Sequence, residues 1–334
     1  MPFYALAVLA LYFAAPSPSP AVRIEIPREG SQPSSAYLGV QGTGPAGAAI
    51  ELFDGRDTTP LRTLRAEPDG HFECLLRLAP GAHSLTARVL GSDARPAPVH
   101  VRIPSGFAGP APGASYELMQ VADILLSHTP GSEQEELDGA RYTHAALYLG
   151  PDPSGTPLVA EAITWERTAS SNPLGAIGLE ETLIWRGGAS VDIYRLNHPI
   201  SFPQRSRIAA WAYQRVNQEA AFWSVTQDFG GLFRAWLLWD QRRDQPRDAA
   251  EFERTLKQME TLKMSPDRLN CTTLVWQAYW RATEHRIDLS HPNRVTFGGL
   301  GARMSPRFLD QLRPFLVLPD TLALTGKLRK VNGA

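Results

Sequence analysis

Asn270-Cys271-Thr272-Thr273-Leu274-Val275-Trp276-Gln277-Ala278-Tyr279-Trp280 decides how this chain is read. Leu274, Val275 and Ala278 recur at helical spacing, so the stretch predicts an amphipathic helix with a cysteine in its first turn. Asn270 stands where an N-cap belongs. A thiol at that point feels the positive end of the helix dipole, which favours the reactive thiolate. Far upstream, Tyr142-Thr143-His144-Ala145-Ala146-Leu147-Tyr148-Leu149-Gly150 predicts a strand carrying one histidine. A helix-opening cysteine and a strand-borne histidine are the nucleophile and general base of covalent acyl chemistry.

A turn-rich stretch, Pro151-Asp152-Pro153-Ser154-Gly155, separates that strand from Leu158-Val159-Ala160-Glu161-Ala162-Ile163. Folded back antiparallel, the second strand sets Glu161 within a residue or two of the position opposite His144. There its carboxylate can bond one imidazole nitrogen and orient the ring. A slip of one residue sends Glu161 to the other face. Each residue also has a plainer reading: Cys271 as a buried structural cysteine, His144 as a satisfied core histidine, Glu161 as a solvent-facing edge charge.

The chain has 334 residues, long enough for two domains, and 43% hydrophobic with 20% charged residues is ordinary globular composition. A net charge of −1 gives no reason to expect nucleic acid as a partner. Two cysteines make no disulfide framework. No set of histidines, cysteines and acids has metal-ligand spacing, so neither metal nor cofactor is expected. Residues 1–21 read as a signal peptide: an apolar run from Phe3 to Ala15, short of the roughly 20 residues that span a bilayer, then Ser19-Pro20-Ala21 as a cleavage site. No cysteine lies near that site to carry a lipid. The expected location is periplasmic or secreted.

Residues 22–104 predict an all-β sandwich. Val22–Ile26 alternates with period two, Ala48–Phe53 is a second strand, and Ser84–Val89 and Val99–Ile103 close the series. Asp69-Gly70 predicts a hairpin turn between Leu61–Ala66 and His71–Leu78. Cys74 falls on one of these strands and reads as a small buried residue. Residues 105–114, rich in Pro and Gly, form a linker. From 115 to 334 the texture turns to mixed α and β, with strands at Ala122–Ser127, around His144, at Leu158–Ile163 and at Val191–Leu196. Helices are marked by Ile208, Trp211, Ala212 and Val216, and by Phe252, Leu256, Met259 and Leu262. A short helix is expected at Ser305-Pro306. All eight tryptophans lie between Trp165 and Trp280 and are expected in the core and groove walls of this part.

Ala122-Asp123-Ile124-Leu125-Leu126, Thr143-His144-Ala145-Ala146-Leu147-Tyr148-Leu149-Gly150, Val159-Ala160-Glu161-Ala162 and Cys271-Thr272-Thr273-Leu274-Val275-Trp276 occur in an order that resembles the circularly permuted papain-fold enzymes of the NlpC-like superfamily, specifically the YiiX/YaeF-type group. Val317-Leu318-Pro319-Asp320 is similar to the closing Pro-Asp segment of that group. The resemblance runs from about Val121 to the C-terminus. The first segment resembles bacterial Ig-like domains in style. Together they imply a multidomain chain: an Ig-like sandwich, then an α+β permuted papain-like domain with an antiparallel sheet and packed helices. The family pattern implies Cys271 as nucleophile, His144 as general base and Glu161 as the polar third member. Ala122 stands where the family usually has Gly, Thr272-Thr273 replaces Ser-Glu, and residues 223–266 have no counterpart.

The implied activity is that of an exported cysteine hydrolase, an amidase or peptidase acting on a peptide, a cell-wall peptide or an N-acylated compound through a thioester. Two alternatives stay open: a lipid acyl hydrolase or acyltransferase using the same site, and a binding module that kept the fold without catalysis. The first domain remains open as a spacer or as a unit that docks to the wall or to a protein.

Overall fold

The computed structural model describes residues 21–55, 57–92, 94, 96–106, 116–128, 130, 135, 141–162, 174–179, 190–217, 221–222, 246–290, 310 and 316–331. Residues 1–20 of the expected signal peptide and 107–114 of the expected linker lie outside the described residues, as do the expected helix at Ser305-Pro306 and five of the tryptophans. Among the described residues no helix is long and apolar enough to cross a membrane.

Seven strands come first: β1 (Arg23–Ile26), β2 (Tyr37–Thr43), β3 (Ala49–Asp54), β4 (Arg62–Arg65), β5 (His71–Arg77), β6 (Gly81–Val89) and β7 (Val99–Ile103). They form two antiparallel sheets, β1-β2-β5 and β4-β3-β6-β7, packed face to face. Alternation sorts their side chains. Leu38 and Val40 of β2 meet Phe72, Cys74 and Leu76 of β5 inside this unit, while Tyr37 and Leu75 point out the other side. Cys74 is buried as expected, and burial pushes its thiol up to about 12.

One sequence expectation changes here, and one strand is added. Asp69-Gly70 does form a tight turn, with Gly70 at φ +85° and a bond from the Gly70 amide to the Glu67 carbonyl. It joins no hairpin, however: β4 pairs with β3 and β5 with β2, so the chain crosses from one sheet to the other. A Cβ on Gly70 would lie 2.6 Å from the Gly44 carbonyl oxygen, so the crossing needs glycine for room as well as for φ. Strand β2 itself escaped the sequence pattern. Its Gly39 and Gly42 break the alternation because neighbours fill the space: a Cβ would lie 2.4 Å from Pro151 Cβ at the first and 2.2 Å from the Arg23 carbonyl oxygen at the second.

The second sheet has six antiparallel strands: β8 (Ile124–His128), β9 (His144–Pro151), β10 (Pro157–Ala162), β11 (Leu174–Gly178), β12 (Ser190–Leu196) and, after a two-residue parallel pair β13 (Ala221–Phe222) and β14 (Arg268–Leu269), β15 (Leu328–Lys330). Its order is β11-β10-β9-β8-β12-β15. The helices are α1 (Phe202–Asn217), α2 (Pro246–Met264), α3 (Cys271–Ala282) and α4 (Pro319–Ala323). The architecture is thus mixed, antiparallel sheets with a few helices.

Both faces of the six-stranded sheet are covered. Ala145, Leu147 and Ala160 pack with Ile208 of α1 and with Leu274 and Val275 of α3. On the other face Leu125, Ala146, Tyr148 and Val159 pack with Tyr37 and Leu75 of the N-terminal sheets. The N-terminal unit therefore closes the open face of the second sheet. Helix α3 was expected to be amphipathic, yet Thr272 to Tyr279 are all buried. It runs between the sheet and the other helices, so both its sides are enclosed. Its polar residues are matched accordingly: Gln277 Nε2 donates to the carbonyls of Lys263 and Ser265, which closes the end of α2.

Candidate active site

The first turn of α3 is held by a capping box. Asn270 Oδ1 accepts from the Thr273 amide at 2.8 Å, and Thr273 Oγ1 accepts from the Asn270 amide at 2.8 Å. Thr272 Oγ1 lies 2.9 Å from the same Oδ1. Asn270, Thr272 and Thr273 are all buried, whereas Cys271 keeps partial access to solvent. A thiol is thus presented at the positive end of a rigid helix, and it is not bonded to Cys74.

His144 opens β9 and pairs with Ser127 of β8. Its Nε2 lies 3.0 Å from Glu161 Oε2, and both side chains are buried. A carboxylate accepts, so this bond puts the ring proton on Nε2 and leaves the lone pair of the neutral ring on Nδ1. The pairing of β9 with β10 explains the contact. Val159 lies opposite Tyr148 and Ala160 opposite Leu147. One further step sets Glu161 beside Ala146, two residues from His144 and on the same face, a diagonal that two long side chains can bridge.

One segment ties the cysteine end of α3 to the histidine end of β9. Thr272 Oγ1 donates to the Val317 carbonyl. Three residues on, Asp320 at the start of α4 accepts the amides of Arg141 and Tyr142, both at 2.9 Å, just before His144. The Pro319-Asp320 step singled out in the sequence is therefore an anchor for the histidine strand. Tyr142 adds a second tie: its hydroxyl donates to Asp192, and Lys330 Nζ sits 2.8 Å from the same carboxylate. Burial and the Asp192 bond push the Tyr142 phenol far above its ordinary range, so it remains protonated.

Alternation adds a constraint on any dyad. His144 shares the parity of Ala146 and Tyr148, while Ala145 and Leu147 point at α3. Helix α3 therefore packs on the face of the sheet opposite to the one that His144 shares by alternation, and His144 stands at the strand end, as the first residue of β9.

Several supports of this site have partners that the sequence did not show. Ala122 has φ +69°, the left-handed region, at the entrance to β8, and its carbonyl accepts the Tyr279 hydroxyl of α3. The conformation accounts for a preference for glycine at such a position. Asp123, next in sequence, is gripped by Arg195 of β12 through two bonds of 2.8 and 2.6 Å. Asp192 and Arg195 were readable only as residues of an expected strand until the strand order brought them in. Among the described residues no group of histidines, cysteines and acids is arranged to hold a metal ion. A cleft of about 300 Å³ lies between α1 and the far end of β9, lined by Gln41, Leu149, Pro151, Phe202 and Tyr213. It sits at the turn end of the hairpin, away from His144.

Comparison with protein-family models, curated proteins and solved structures finds no match for this chain.

Proposed function

We propose that this protein is a cysteine hydrolase that cleaves an amide through a thioester, with Cys271 as nucleophile, His144 as general base and acid, and Glu161 as the residue that orients the ring. The observation that carries the reading is the 3.0 Å bond between His144 Nε2 and the buried Glu161 carboxylate, set beside a helix that presents a cysteine at its N-terminus. A buried His–carboxylate pair costs desolvation, and a fold gains from retaining one where the imidazole has a task.

In this mechanism His144 Nδ1 takes the thiol proton and the thiolate attacks the substrate carbonyl carbon. The Cys271 backbone N–H, at the helix start, faces the developing oxyanion. The C–N bond breaks, the leaving amine takes the proton from Nδ1, and an acyl thioester remains on Cys271. Water then attacks the thioester and gives a proton to Nδ1. The acid departs, and the thiolate recovers that proton. Glu161 stays ionised throughout and stabilises the imidazolium. The architecture accords with an Ig-like unit followed by a permuted papain-like domain, the NlpC-like arrangement that the motif order resembles. The substrate class under this reading is a peptide or N-acylated amine met outside the cytoplasm.

The test is acyl-enzyme trapping. The protein is incubated with a panel of activated acyl esters and N-acyl peptide anilides, quenched in acid and weighed intact. The reading expects a single acyl adduct that hydroxylamine removes and that Cys271→Ala lacks. Persistence of the adduct in Cys271→Ala contradicts it. Absence of any adduct across the panel, with folding intact, favours a binding module.

A further inference from the structure

We propose that the β-bulge at Leu149–Gly150 is the register device that puts Glu161 on the same face as His144, which makes Gly150 a positioning residue. This inference rests on the role given to Glu161 above.

The hairpin β9–β10 has two phases. Near its turn, Pro157 lies opposite Pro151 and Leu158 opposite Gly150. Beyond the turn, Val159 lies opposite Tyr148 and Ala160 opposite Leu147. Leu149 is the extra residue. The pairings on either side carry no such shift: β10 with β11 runs unbroken from Leu158 opposite Gly178 to Ala162 opposite Leu174. β8 with β9 runs unbroken from Ile124 opposite Leu147 to Ser127 opposite His144. The phase change is therefore confined to one point of one ladder.

Its consequence follows from strand alternation. Had the turn-side pairing run on unbroken, Glu161 would fall opposite Leu147. Leu147 points into the core under α1 and α3, so the carboxylate would be carried to the wrong side of the sheet. With the bulge, Glu161 falls beside Ala146 and shares its face with His144.

Gly150 is built into this point in two ways. Its φ is +91°, a conformation that residues with a Cβ adopt only under strain. A Cβ there would lie 2.8 Å from Val121 Cγ2 and 3.3 Å from Gln41 Nε2. Val121 precedes β8 and Gln41 belongs to β2, so the bulge is clamped between the entrance to the second sheet and the N-terminal unit. The turn beyond is fixed to the same unit by the Gly39 amide donating to the Gly155 carbonyl at 2.8 Å and by the Ser34 amide donating to Thr156 Oγ1 at 2.9 Å. The N-terminal sheets thus hold the hairpin in the phase that the site needs.

The experiment is a titration of the His144 imidazole by NMR in histidine-labelled protein, with the signal assigned by its loss in His144→Gln. Glu161→Gln removes the carboxylate partner and lowers the His144 pKa by roughly one unit or more. Gly150→Ala is expected to lower it as much, and the double variant no further. Deleting Leu149 removes the extra residue, so an unbroken ladder then carries Glu161 to the same face. That deletion keeps the parental titration, and it restores the parental titration in the Gly150→Ala background. A steric defect at Gly150 without a register role gives additive shifts and no such rescue. A folded Gly150→Ala with the parental titration overturns the inference. If Gly150→Ala does not fold, the deletion alone decides: loss of the partner's effect in it overturns the inference as well. If Glu161→Gln itself leaves His144 unmoved, the role of Glu161 fails first, and the two failures are distinguishable.

Discussion

Replacing Arg205 by alanine tests whether the two halves of the chain are one mechanical unit. Arg205, on α1, reaches across to the N-terminal sheets. Its Nη2 lies 2.7 Å from Glu73 Oε1, its Nη1 donates to Glu67 Oε2 at 3.2 Å, and Nη1 also donates to the Ile200 carbonyl at 2.9 Å. The side chains of Arg205 and Glu73 are 8% and 4% exposed, so this is a buried ion pair. Burial pushes the Glu73 carboxyl up, and Arg205 pulls it back. Among the described residues, truncating Arg205 leaves Glu73 with the Val121 amide and a long contact to Gln41 Nε2. A loss of about 3–5 kcal/mol is expected, a fall in melting temperature of roughly 4–8 °C for a chain of this length that melts as one unit. Adding Glu73→Gln to Arg205→Ala should recover part of it, because the stranded charge is gone. The chain supplies its own two probes. All eight tryptophans lie beyond the N-terminal sheets, from Trp165 on, and Cys74 is buried within those sheets. In the parent, tryptophan fluorescence and Cys74 labelling should report one transition on heating. A melting temperature unchanged in Arg205→Ala, or separate transitions for the two probes in the parent, would refute the reasoning.

His71 stacks on Phe202 at 3.3 Å between centroids, and burial, with Arg205 nearby, pulls its pKa down to about 4. The unfolded chain therefore takes up the proton first, so stability present above about pH 6.5 is lost as pH falls towards 4, on the order of 2–3 kcal/mol by pH 4.5. Urea titrations of the parent and His71→Phe at pH 7 and 4.5 should show the variant gaining by that amount at acid pH, and an equal difference at both pH values contradicts it. Asn270→Ala removes the cap of α3 and should cost about 1–2 kcal/mol in the same assay. Asn270→Asp keeps the cap but sets a negative charge beside Cys271, which should slow thiol alkylation at neutral pH roughly tenfold; an unchanged rate argues against a thiolate at this helix end. Ala122→Gly should leave the unfolding free energy in the same urea assay within about 1 kcal/mol of the parent, since relief of strain offsets lost chain stiffness, whereas Ala122→Val should cost about 1–3 kcal/mol.

The elements that carry the chemistry were legible because their signals are local. The Asn270 cap, the Leu274–Val275–Ala278 spacing and the strand around His144 each sit within one element, and the structure keeps all three. The diagonal from Glu161 to His144 was legible to within its register alone, because the bulge that fixes the phase depends on Val121 and Gln41 from elsewhere in the chain. Cross-sheet features were not legible at all. Arg205 finds Glu73 across 132 positions of sequence, and no periodicity marks that pairing. Strand β2 was hidden by glycines whose purpose is to let Pro151 and the Arg23 backbone approach. The all-round burial of α3 depends on what lies on its second side, which an amphipathic pattern cannot state. Nor was it legible that Tyr37 and Leu75 of the N-terminal sheets pack with the six-stranded sheet.

The most direct test of the central claim is the rate of single alkylation by a small cysteine-directed electrophile at neutral pH, read by intact mass. It is measured on the parent, Cys271→Ala, His144→Ala and Cys74→Ala. The account predicts fast addition of one label, abolished in Cys271→Ala, markedly slowed in His144→Ala and unchanged in Cys74→Ala, whose thiol is buried. Labelling of Cys271 at a rate indifferent to His144 would contradict the account, because thiol and imidazole would then not be working together.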